Sequence, residues 1–75
     1  MNNTANLYIV TDENETFVRS FDSSKNILPV KEWIEDWLKN NNIEYDSLAF
    51  YANKEVEDEI IIIYGGLMYF VLRKN

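Results

Sequence analysis

The chain contains neither cysteine nor histidine. Without cysteine it has no disulfide to staple a small fold and no thiolate nucleophile. Without either residue it lacks the side chains that usually build structural zinc sites. Without histidine it also lacks the side chain that most readily shuttles protons near neutral pH. Ser20, Ser23, Ser24 and Ser47 have no activating base in view. The carboxylates fall in turns and on a solvated helix face, where nothing raises a pKa for acid–base work. The expectation is a protein that is not an enzyme and that carries no cofactor and no metal. Asp12-x-Asn14 starts like a calcium loop, but Phe17 stands where that loop requires glycine and Ser23 where it requires glutamate.

Long apolar runs are also missing. A membrane-spanning helix needs about 20 apolar residues, and the longest run here extends only from Ile60 to Val71. The first residues show neither the positive cluster nor the apolar segment of a secretory leader. Together with the lack of cysteine, these absences lead to the expectation of a cytoplasmic protein. Basic residues are few: thirteen Asp and Glu stand against seven Lys and Arg, for a net charge of −6. That balance disfavours direct binding to nucleic acid or anionic membrane, because phosphate contacts rest on Lys and Arg. It favours a basic partner.

What the chain does have is apolar mass. Two Trp, five Tyr and four Phe occur in 75 residues. A domain this short buries only roughly 60% of the surface its unfolded chain exposes. With no disulfide or zinc site to help, a dense aromatic core or self-association has to supply the margin. Abundant Asn, Ile, Glu, Lys and Tyr reflect AT-rich codons, which points towards a low-GC bacterium or its phage.

Residues 1–5 are small and polar and are expected to fray, leaving a single α+β domain over residues 6–75. Leu7–Thr11 and Thr16–Phe21 read as strands joined by a polar turn. In the second, Phe17, Arg19 and Phe21 share one face by simple alternation, and Val18 takes the other. Val30, Trp33, Ile34, Trp37 and Leu38 recur at helical spacing, which predicts a helix over Pro29–Asn40. Proline suits a first helical turn, and the Asn40-Asn41-Asn42 run suits its end. Trp33 and Trp37 lie on the apolar stripe and are expected to serve the core. Ser47–Ala52 reads as a third strand. The order is ββαβββ, with one helix packed on one face of a mostly antiparallel five-stranded sheet.

The last two strands flank Gly65-Gly66, the pattern of a two-residue hairpin turn. Such a turn sets Tyr64 opposite Leu67, Ile62 opposite Tyr69, Ile60 opposite Val71, and Asp58 opposite Arg73 as an ion pair. Ile61, Ile63, Met68, Phe70 and Leu72 then form the candidate core face. Ile60, Ile62, Tyr64, Leu67, Val71 and Tyr69 form a second apolar face. One helix cannot cover both faces of a sheet, so the second is the candidate protein interface, with Tyr as its amphipathic anchor.

Glu55, Glu57, Asp58 and Glu59 form an acidic run, and Glu32 and Asp36 are neighbours on the helix. Alternate residues of an extended segment stand about 6.6–6.8 Å apart on one side, so Glu55, Glu57 and Glu59 imitate a row of phosphates. A solvated turn guarding a hydrophobic strand is the simpler account. The expectation is a small acidic protein-binding module. Its natural setting is a phage or mobile-element antagonist of a host enzyme or defence protein, acting as an inhibitor that blocks a basic nucleic-acid-binding surface. The alternative is a homo-oligomeric structural or accessory protein whose apolar sheet face pairs with itself in a homodimer.

Overall fold

The helical repeat of apolar residues places Val30, Ile34 and Leu38 on one side of a helix, and these are its buried residues. A computed structural model of the chain describes residues 4–12, 14–22, 27–55 and 59–74. The elements are β1 (Thr4–Val10), β2 (Glu15–Asp22), α1 (Leu28–Asn40), β3 (Ala49–Ala52), β4 (Glu59–Ile63) and β5 (Tyr69–Lys74). They form one helix on a five-stranded antiparallel sheet of order β2-β1-β5-β4-β3, an α+β fold. β1 begins at Thr4 and Ala5 is buried, so the last two residues of the expected frayed arm belong to the sheet.

Helix α1 starts one residue before Pro29, whose missing N–H falls in the first turn, where backbone donors lack helical partners in any case. Its end is a Schellman motif. The Ile43 N–H donates to the Leu38 carbonyl at 2.9 Å, and the Asn42 N–H to the Lys39 carbonyl at 3.1 Å. Asn42 sits in the left-handed region with φ 58°, which asparagine tolerates. Ile43 then packs against the core. Tyr45 donates to Glu35 at 3.1 Å and ties the following loop back to the helix.

The core lies between α1 and one face of the sheet. Leu7, Ile34, Leu38, Ile62 and Phe70 are fully enclosed there, joined by Ala5, Phe21, Val30 and Leu72. Trp33 and Trp37 are only half-buried against it. Each meets a core ring edge to face: Trp33 on Phe21 with centroids 6.5 Å apart, and Trp37 on Phe70 at 5.7 Å.

Two expectations about sheet faces are corrected. The β4–β5 connection is not a two-residue turn. It spans residues 64–68, and Ile62 faces Phe70, Ile61 faces Val71 and Ile60 faces Leu72. That moves the pairing by one residue, and because side chains alternate strictly, it exchanges the partner strand's faces. Ile60 and Ile62 therefore sit with Phe70 and Leu72 on the core side, while Ile61 and Ile63 sit with Val71 and Tyr69 on the outer side. The cause is Tyr64, which leaves the strand, packs on the core and meets Phe70 at 6.5 Å. Its ring occupies the space where a Cβ on Gly66 would stand, and Gly65 turns the chain at φ 99°. Both glycines serve this wider loop.

The second correction is in β2. Leu7 faces Arg19 but Tyr8 faces Phe17, so Val18 is an extra residue in a bulge. Phe21 is buried in the core and Phe17 is on the opposite face, 54% exposed. Arg19 lies between them in sequence. It stays on the helix side at the sheet edge, with its guanidinium 4.8 Å from the Phe21 ring centre.

Candidate protein-docking face

The outer face of the sheet is built from alternate residues of all five strands. Its middle row reads Phe17, Tyr8, Val71, Ile61 and Tyr51 from β2 to β3. Each neighbouring pair is a register pair, so the row is continuous across the sheet. Tyr8 and Phe17 meet edge to face at 5.8 Å. Val71 is buried at the centre of the row, flanked by Tyr8 and Ile61. The ends are open, with Phe17 at 54% and Tyr51 at 55% exposure. A second row adds Tyr69 and Ile63, both 38% exposed.

A polar row centred on Arg73 borders these residues on one side, and Arg73 itself reaches across the apolar row to Glu15, which pairs with Val10 on the other side. The Arg73 guanidinium donates through Nη1 and Nη2 to both carboxylate oxygens of Glu15, the Nη2 bond measuring 2.8 Å. Its Nε donates to Glu59 at 2.8 Å. On the way to Glu15 it crosses the Tyr8 ring, 4.9 Å from the centroid. Glu59 is only 9% exposed, and its second oxygen accepts a 2.9 Å bond from the Asn53 side chain. These donors hold its carboxyl below the ordinary carboxylate range, Arg73 contributing most and Asn53 next, against the opposing effect of burial. Glu15 first and Glu59 next raise the pKa of the Arg73 guanidinium further above its ordinary value.

The expected ion pair between Asp58 and Arg73 is thus corrected to Glu59–Arg73, by the same one-residue displacement. Asp58 and Glu57 lie outside the described residues. Glu59 faces inward to Arg73 and Asn53 rather than standing in an exposed row with Glu55. Glu55 is exposed, and its backbone N–H is capped by the Asn53 side chain at 2.9 Å. Glu32 and Asp36 are exposed on α1.

The expected interface residues are divided by the fold. Val71 and Tyr69 lie on the outer face. Ile62 is fully enclosed in the core, Ile60 and Tyr64 pack against that core, and Leu67 stands fully exposed on the β4–β5 loop. Phe17, Ile61 and Ile63 reach the outer face only through the bulge and the longer loop, which neither alternation nor the glycine pair announces. Tyr8 and Tyr51 join them there.

Among the described residues, no group of three or more acidic side chains is placed to hold a metal ion. No helix among them is long and apolar enough to cross a membrane. Compared with known proteins, the chain matches no family model, no curated protein and no solved structure.

Proposed function

We propose that this chain is a small, non-enzymatic protein-binding module that docks through the outer face of its sheet onto a basic partner protein. The observation that carries this reading is the continuous apolar row Phe17–Tyr8–Val71–Ile61–Tyr51, open at both ends on a face opposite the helix. Aromatic anchors of this kind, set in a polar border, are what protein interfaces concentrate. The charge of the face argues for a basic partner. Glu15, Asp22 and Glu59 share it with one cation, Arg73, and the whole chain carries −6. Such a field speeds encounter with a basic surface while the apolar row supplies the contact. An inhibitor of a nucleic-acid-binding protein, working in the cytoplasm of a bacterial host, is the setting this chemistry suits.

The test is photo-cross-linking in native host lysate from position 51 on the outer face and, for comparison, from position 31 on the flank of α1 away from Trp33 and Trp37. Support is an adduct to a basic protein that forms from position 51 alone, weakens with salt and disappears in Ile61→Lys. Equal products from both positions would remove the outer face as the binding surface. A product at twice the protein's own mass would mean that a second copy covers this face instead.

A further inference from the structure

We propose that the cleft on the flank of α1, lined by Trp33, Asp36, Trp37 and Asn40, receives an arginine side chain of the partner protein. This rests on the protein-binding reading above but uses a surface separate from the outer sheet face. The cleft measures about 300 Å³. That lies at the lower limit of ligand sites and suits a side-chain head group better than a drug-sized molecule.

Its chemistry follows from the helix. Trp33 and Trp37 stand at i and i+4, so their indoles are neighbours on one flank. Both are half-buried, so each serves the core and still lines the cleft. Phe21 fixes the first indole at an interplanar angle of 81° and Phe70 fixes the second at 85°. The walls are therefore held by the core before any ligand arrives. Asp36, one residue before Trp37, and Asn40, three residues after it, add a carboxylate and an amide side chain to the same rim. Glu32, one turn before Asp36, is exposed and adds negative charge nearby.

Indole faces attract cations, tryptophan more than any other ring. The polar rim decides which cation. A quaternary ammonium has no donor to give to Asp36 or Asn40. An ammonium has donors but no flat surface to lay on an indole. A guanidinium is planar, stacks on aromatic faces and presents a fork of N–H donors that matches a carboxylate. The arginine side chain combines the flat stacking surface and the donor fork that best suit these four lining residues.

The chain has two tryptophans, and both line the cleft. Their indole N–H signals in a proton–nitrogen correlation spectrum therefore report on the site directly. The experiment titrates the full chain with N-acetyl-arginine amide, with the lysine analogue, and with the citrulline analogue, which keeps the shape of arginine without its charge. The expected result is a saturable, millimolar shift of both indole signals with arginine, a weaker response to lysine and none to citrulline. The amides of Ile61 and Tyr69 should stay in place. Asp36→Asn, at an exposed position, should weaken arginine binding by about two- to fivefold, the scale of an exposed ion pair. Equal shifts with citrulline, no saturation with arginine, or an Asp36→Asn variant that binds arginine unchanged would each overturn the proposal. Because the probes are single amino-acid derivatives, these outcomes leave the outer sheet face untouched, and failure of cross-linking at position 51 leaves the cleft untouched.

Discussion

Arg73 and Glu15 are joined as a two-pronged ion pair across 58 positions of sequence, spanning from β5 over β1 to β2. The same guanidinium holds Glu59 on its other side. One side chain thus gathers three strands, and its removal leaves a nearly buried carboxylate with half its partners. Arg73→Ala is expected to destabilise the fold by about 1–3 kcal/mol, the cost of an unsatisfied buried acceptor. Adding Glu59→Gln to that variant should return part of the loss, because the stranded charge goes with it. Urea unfolding of the two variants checks the order.

Glu59 also sets an acid limit. Its folded-state pKa lies below the ordinary value of 4.5, through the bonds from Arg73 and Asn53. The unfolded chain therefore takes up this proton first as pH falls. The stabilisation from Glu59 is present in full above about pH 4.5 and is lost as pH drops through the lower folded value. Melting temperature should stay level from neutral pH down to that range and then decline, with a smaller decline in Glu59→Gln. An equal decline in both proteins would place the acid sensitivity elsewhere.

The bulge at Val18 makes a sharp contrast between two phenylalanines four residues apart. Phe21→Ala should cost about 3–5 kcal/mol, as for a large ring removed from a core. Phe17→Ala should stay within about 1 kcal/mol, since the ring is half-exposed. Thermal melts of the pair check this. Similar losses at both positions would return Phe17 to the core face.

The β4–β5 loop offers a coupled test. Gly66→Ala places a methyl group against the Tyr64 ring and is expected to cost about 1–3 kcal/mol through overpacking. In a Tyr64→Ala background the same substitution should cost markedly less, because the obstructing ring is gone. A double-mutant cycle by chemical denaturation measures the coupling.

The element order and the helix were legible because their signals are long. Five apolar positions at helical spacing outweigh any single ambiguous residue, and Asn41 and Asn42 mark the end through backbone preference alone. The faces of the sheet were not legible, because each depends on one residue. An extra Val18 in β2 and a longer connection around Gly65 each reverse the alternation of everything beyond them. Composition shows no trace of either. Tyr64 reads as a strand residue from its neighbours, and only its packing on Phe70 shows why the strand stops before it. The site shares this limit: Tyr69 and Val71 lie on the outer face, but Ile60 and Ile62, which simple alternation groups with them, belong behind it. The Trp33–Trp37 pair read as core and is half of that, since the burial of one flank of a helix does not fix how far its neighbours are covered.

The pairing of β1 with β5 has a consequence for how the molecule comes into being. The first hairpin touches the rest of the sheet only through the last strand, with Ala5 set against Lys74. On the ribosome, β1 and β2 emerge early and have no sheet to join until β5 has cleared the exit tunnel. Closure across nearly the whole chain then happens in one late step, the kind of distant contact that slows folding. The same adjacency lets the end of β5 be joined to the start of β1 by a short linker, so that a permuted chain opened between β2 and α1 would turn its most distant contact into a local one.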